Sequence, residues 1–212
     1  MFKSFVLVLS ILTSFDAFSQ KEGKRISKNY GPYIDLAGGY AVDGGSGSEK
    51  LLGSTYQTSI GYRWSNWAFE IGYTAIDLKA KPGVANDFIV NIDKATLKGG
   101  GIDFIIRTTF WRFLTFGLGY SKMKLEHDFQ FSNINNDPSA NFNMKDSNDY
   151  TGAIAQIGLV LPLWRFLDLR LMYELRTLSN DDYLEDDSDN DEIPVDRFGF
   201  QHFSGHLVWY FL

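Results

Sequence analysis

Near the end of the chain, Phe200-Gln201-His202-Phe203-Ser204 sets a histidine two residues before a serine. In a strand, positions i and i+2 face the same way, so His202 could serve as base for the Ser204 hydroxyl, with Glu174 or Glu185 as candidates to orient the ring. That is the arrangement of a nucleophilic hydrolase; the alternative is hydrogen bonding inside a fold. A second stretch, Asp181 to Glu192, holds eight acidic residues and no basic one. Asp187, Asp189 and Asp191 within it repeat hard oxygen ligands at calcium-loop spacing. An EF-hand starting at Asp187 would need Gly at its sixth position and Glu at its twelfth, and finds Glu192 and Phe198. The stretch could therefore bind divalent cations only loosely, and a solvated, self-repelling loop is its default.

These groups must be held by some element, and from Tyr33 onward the sequence alternates apolar and polar residues with period 2. Such alternation marks strands with one apolar face. Gly, Asn, Asp and Ser clusters divide it into eight segments, roughly 32–43, 51–64, 67–78, 94–110, 114–126, 150–163, 167–178 and 197–211. In the seventh, Leu167, Leu169, Leu171, Tyr173 and Leu175 share one face, while Asp168, Arg170, Met172, Glu174 and Arg176 share the other.

Connections alternate between short and long, which predicts an up-and-down meander with all tight turns at one end. Across Trp64-Ser65-Asn66-Trp67 the apolar parity switches, as a two-residue hairpin loop requires. The tetrapeptide Trp-Arg-Phe-Leu occurs twice, at 111–114 and 164–167, and parity is kept across each copy. That predicts three-residue loops at 111–113 and 164–166. Trp64, Trp67, Trp111, Trp164 and Trp209 then collect at one rim, the placement of tryptophan at a membrane interface.

Orientation follows from volume. An eight-stranded barrel has room inside for side chains or one small ligand, and four to six large apolar side chains per strand would overfill it. The opposite face is rich in glycine, including Gly61, Gly72, Gly117 and Gly119. The apolar face is therefore expected to look outward into lipid. The inner face carries Asp35, Arg63, Glu70, Asp103, Arg107, Asp168, Arg170, Glu174 and Arg176, nearly balanced in charge and without lysine. Counting rungs outward from the turns sets Glu70 opposite Gly61, Arg107 opposite Gly117, Asp103 opposite Ser121 and Glu174 opposite Gln156. Buried charges need partners, so these nine are expected to form a salt-bridge network that fills the lumen.

The first residues read as an export signal: Lys3, an apolar run from Phe5 to Leu12, and Ala17-Phe18-Ser19 before the cleavage point. The expected organisation is a signal peptide at 1–19 and a single barrel domain at 20–212. The apolar run is too short for a spanning helix. There is no cysteine, which excludes disulfides, a lipoprotein anchor and thiolate metal sites. Net charge is −6 and no basic patch stands out, so a nucleic-acid partner is not expected. No cofactor is expected.

With its signal segment, eight alternating strands, three tight turns, polar lumen and C-terminal Leu207-Val208-Trp209-Tyr210-Phe211-Leu212, the chain resembles the small outer-membrane barrels of Gram-negative bacteria, the OmpA/OmpX-like superfamily. The resemblance covers the whole mature chain. It implies an outer-membrane location and lipid partners including lipopolysaccharide; a monomer is expected, and loose divalent binding by the acidic loop could bridge it to lipopolysaccharide phosphates. In that family the final strand usually ends on an aromatic residue; here Phe211 is penultimate. His202-x-Ser204 resembles the His-x-Ser of the lipid A deacylases, although Gly205 stands where those enzymes carry Asn. The expected function is non-enzymatic, in envelope structure or in surface contact through the long loops. The alternatives are a lipid A-modifying hydrolase using His202 and Ser204, or a narrow channel.

Overall fold

The computed structural model describes residues 30–43, 51–80, 83–84, 90–111, 113–133, 142–180 and 197–211. The signal segment, the acidic stretch with Asp187, Asp189 and Asp191, and Arg112 lie outside them.

Nine strands follow one another: β1 (Tyr30–Asp43), β2 (Leu52–Trp64), β3 (Trp67–Lys79), β4 (Gly83–Val84), β5 (Val90–Phe110), β6 (Leu114–Asn133), β7 (Phe142–Trp164), β8 (Leu167–Ser179) and β9 (Arg197–Tyr210). All pairings are antiparallel. Their order is β3-β2-β1-β9-β8-β7-β6-β5-β4, and β3 also pairs with β5. That last ladder closes eight long strands into a barrel, with β4 as a two-residue addition beside β5. Closure satisfies the backbone within the chain, the condition for a sheet to exist in hydrocarbon.

The register agrees with the rung count from the turns: Glu70 faces Gly61, Arg107 faces Gly117, Asp103 faces Ser121 and Glu174 faces Gln156. The glycines have a steric task. A Cβ on Gly61 would stand 2.3 Å from the Tyr33 ring, and one on Gly117 would stand 2.8 Å from Gln156 Oε1. A large polar side chain on one strand thus requires an empty position on its neighbour.

The tight turns differ in detail. Trp64 pairs with Trp67 around Ser65-Asn66, with Ser65 at φ 58°. The first Trp-Arg-Phe-Leu copy makes the expected three-residue loop, Phe110 pairing with Leu114, and Trp111 occupies the left-handed region at φ 48°. The second copy departs from expectation. Trp164 pairs with Leu167, so the loop is Arg165-Phe166, and the register slips between Pro162 and Trp164. A bulge at Leu163 supplies the odd residue, which is why parity across the copy mimics a three-residue loop.

All three turns end alike. The carbonyls of Asn66, Phe113 and Phe166 accept hydrogen bonds from Thr109 (2.8 Å), Val160 (2.6 Å) and Tyr210 (2.9 Å) on the next hairpin. The repeated tetrapeptide therefore marks a recurring position on one rim.

Three strands run further than their outward apolar pattern predicts. β5 begins at Val90, β6 continues to Asn133 and β7 begins at Phe142, so 127–133 and 142–149, expected as loop, are strand. The reason is a reversal of polarity along the strands. Up to Tyr73, Ile102 and Tyr120 the outward side chains are apolar. Beyond them the outward positions become Asp77, Lys79, Lys94, Lys98, Lys122, Lys124 and Glu126, while Ile76, Leu78, Leu97, Met123 and Leu125 turn inward and are buried. A pattern sought only on the outward face ends where the inward face takes over.

Candidate functional site

Inward-facing groups form layers along the lumen. Nearest the tight turns lies a small apolar cluster of Tyr33, Ala68, Val208 and Tyr210. Next comes a cluster around Glu70, which accepts two hydrogen bonds from Arg107 (3.0 and 2.6 Å), one from Arg170 (2.8 Å) and one from the Tyr33 hydroxyl. Arg170 also lies 3.4 Å from Asp35. Two arginines thus face two carboxylates. Arg63 is half-buried at the rim, donating to Ser65 O (3.1 Å) and to the Tyr210 hydroxyl (3.3 Å).

A second cluster centres on Arg176, which donates to both oxygens of Asp103 (2.8 and 2.9 Å) and to Glu174 (2.8 Å). Ser121 and Thr74 donate to Asp103, and Gln156 donates to Glu174. Seven of the nine expected charges fall into these two clusters, Arg63 at the rim shares the Tyr210 hydroxyl with Arg170 (3.3 and 3.4 Å), and Asp168 points inward and is buried.

Above the second cluster the lumen is apolar. Ala41, Leu51, Ile76, Leu78, Leu97, Met123, Leu125, Tyr150, Leu178 and Phe200 belong to one buried cluster, which the sequence reading did not foresee. Tyr33, Thr74, His206 and Tyr210 were also missed as partners of the charges, whereas Ser121 and Gln156 stand where the rung count puts them. Inward parity was the available signal, since it puts each of them on the lumen side of its strand.

The His-x-Ser pair is rearranged. Ser204 Oγ lies 2.8 Å from His206 Nε2, and His206 Nδ1 lies 3.0 Å from both oxygens of Asp35. His202 instead places Nδ1 3.3 Å from Glu174 Oε1, without the alignment of a hydrogen bond. Ser204, His206 and Asp35 follow the order of an acyl-transfer triad. Ser204 is nevertheless only 7% exposed and His206 1%, with the apolar cluster above and the Tyr33–Tyr210 layer below. Asp35 is moreover shared with Arg170. What this chain of groups does in place is satisfy the buried carboxylate of Asp35.

Among the described residues no group of three His, Asp or Glu side chains is placed to hold a metal ion. The tryptophans all face outward: Trp64, Trp67, Trp111, Trp164 and Trp209 are 51–76% exposed. Trp209 joins the turn rim by stacking near Phe166, ring centroids 5.0 Å apart.

No protein-family model matches the sequence, and no curated protein does. Solved structures do. The outer membrane protein OprG from Pseudomonas aeruginosa superposes with a TM-score of 0.50 at 14% identity, covering 86% of this chain and 97% of that one. The fold is that of the small eight-stranded outer-membrane β-barrels. Neisserial surface protein A matches at 14% identity over 85% of this chain and 97% of its own, with a TM-score of 0.49. Ail, the attachment invasion locus protein of Yersinia pestis, in complex with the heparin analogue sucrose octasulfate, matches at 12% identity over 84% and 99%, with a TM-score of 0.45.

Proposed function

We propose that this protein resides in the outer membrane of a Gram-negative bacterium as a closed, non-enzymatic barrel, serving envelope structure or surface contact through the loops opposite its tight turns. The observation that carries this reading is the pairing of an outward apolar belt with inward side chains that are buried along the described strands. Outward Ile102–Phe110 and Leu167–Leu175 each span about nine residues, the length at which a tilted strand crosses hydrocarbon. Two ion-pair clusters and an apolar cap occupy the lumen, which speaks against a conducting path. Purified protein in planar bilayers should therefore give no stepwise conductance, and discrete openings would establish the narrow channel instead.

The Ser204–His206–Asp35 geometry favours a second reading, ester hydrolysis on lipid A. Mass spectrometry of lipid A from cells with and without the protein decides it: unchanged acylation is expected, and loss of an acyl chain that Ser204→Ala abolishes would make the protein a deacylase. Loose divalent-cation binding by Asp187, Asp189 and Asp191 is proposed from their spacing alone. Calorimetric titration with calcium should give heat at millimolar ion if those residues bind it.

A further inference from the structure

Glycine weakens a strand, through its backbone freedom and its missing side chain, unless something close by requires it. In the lumen that something is a neighbouring side chain, as at Gly61 and Gly117. On the outer face Gly100 has the same kind of reason, since a Cβ there would stand 2.3 Å from the Tyr73 hydroxyl. Gly38 on β1 and Gly205 on β9 have none. Among the glycines of the eight long strands they are the two at which an added Cβ would meet nothing within 4 Å. Both point outward, and they are partners in register. The pair therefore opens a notch in the apolar belt.

The walls define its size. Tyr40 and Phe203 stand one outward rung above and Leu36 and Leu207 one below, all four at least half exposed. On the shared rung Leu171 closes the β8 side and Tyr56 the β2 side. Outward rows are roughly 6–7 Å apart along a strand and strands about 5 Å apart, so the hole takes one ring-sized side chain. Tyr56, 64% exposed, is the most exposed tyrosine of the belt. Knob and hole thus stand side by side at one height, roughly 7 Å from centre to centre by the strand spacing.

That arrangement selects the occupant. A two-fold axis along the membrane normal keeps two copies in the same orientation in the bilayer, and in such a contact residue i meets j while j meets i. With the axis between Tyr56 and Gly38, each copy's Tyr56 enters the other's notch. In lipid, apolar surfaces gain nothing by leaving the solvent, so association depends on close packing of this kind and on the small residues that permit it.

We propose that the outer face of β2, β1 and β9 is a self-docking surface: two copies of this chain pair in the membrane by reciprocal insertion of Tyr56 into the Gly38–Gly205 notch, rather than remaining the monomer expected from the sequence. The inference rests on the outer-membrane reading above.

The test is cysteine crosslinking of the full chain in lipid vesicles at a low protein-to-lipid ratio, in a protein without native cysteine. Ser54 is the next outward residue above Tyr56 and pairs with Tyr40, so it lies beside the proposed axis. Ser54→Cys should give a crosslinked dimer on oxidation, and Leu118→Cys, on β6 at the far side of the barrel, should not. Adding Gly205→Leu to the first, at a position whose Cβ has open space around it, overfills the hole and should lower the crosslinked fraction by on the order of tenfold. Tyr56→Ala should lower it as well. No dimer from Ser54→Cys, equal crosslinking of the two single-cysteine proteins, or a yield that Gly205→Leu leaves unchanged overturns the pairing. Heat-dependent gel mobility of each variant separates the failures: a protein that inserts without crosslinking loses only the pairing, and one that does not insert loses the outer-membrane reading as well.

Discussion

The two halves of this barrel are built on opposite rules. On the turn side the outside is apolar and the inside holds arginine–carboxylate clusters; on the loop side the outside of β3, β5, β6 and β7 is charged and the inside is a leucine-rich core. One backbone runs through both, so the side chains of each strand exchange roles where Tyr120 gives way to Lys122 on β6, and where Tyr73 gives way to Asp77 on β3. The surrounding medium explains the exchange. In hydrocarbon a strand gains nothing by hiding leucine and must hide charge; in water the hydrophobic effect returns and draws Leu97 and Leu125 inward. The level of the exchange is thus a membrane boundary written into the chain.

Substitutions can separate the halves. The largest effect is expected at Arg176, the single guanidinium serving both Asp103 and Glu174. Arg176→Met would leave two buried carboxylates with one counter-charge fewer and should cost about 3–5 kcal/mol, measured by urea unfolding of the protein in lipid. A loss under about 1 kcal/mol would mean that water reaches this layer and screens it. Next in size is a reciprocal exchange on the outward face of β6. Leu118→Lys should cost about 2–4 kcal/mol if that position faces hydrocarbon, whereas Lys124→Leu, two rungs above the last outward aromatic, should change stability by less than about 0.5 kcal/mol. Similar costs for both would erase the proposed boundary.

The smallest effect is one of pH and belongs to the loop-side half. His127 lies 3.0 Å from the Tyr150 hydroxyl, and burial lowers its pKa below the usual histidine value, with Asp146 opposing. With the folded pKa lowered, the unfolded chain binds more protons between the two values. Stability is then full above about pH 6.5 and falls as pH drops toward the lowered value. His127→Gln should flatten that fall, read as the urea midpoint between pH 7.5 and 5. A slope of the same size in the variant would place the titration elsewhere.

Much of the turn-side half was legible in the sequence, because the outward faces of seven strands alternate cleanly and the hairpin parity fixes the register. The pairing of Arg107 with Gly117 could be counted from the turns. Three things were hidden. The Leu163 bulge disguised a two-residue turn as a three-residue one, since an extra residue and a longer loop shift parity identically. The partner of Ser204 was hidden because His202 and His206 stand symmetrically two residues either side of it, and only Asp35 on the neighbouring β1 breaks the tie. The extensions of β5–β7 were hidden because apolar residues there lie on the opposite face, as Phe129 does, packed against the buried apolar cluster from within an expected loop.

The boundary is tested most directly by spin-label accessibility, which the absence of native cysteine makes simple. Single cysteines at Phe116, Leu118, Tyr120, Lys122, Met123, Lys124, Leu125 and Glu126 would each carry a nitroxide in lipid-reconstituted protein, and its relaxation by dissolved oxygen and by a water-soluble nickel chelate would be compared. Oxygen should dominate through Tyr120 and nickel from Lys124 upward, with labels at Met123 and Leu125 shielded from both. Oxygen dominance at Lys124 and Glu126, or nickel access at Met123 and Leu125, would contradict the reversal of polarity on which the account rests.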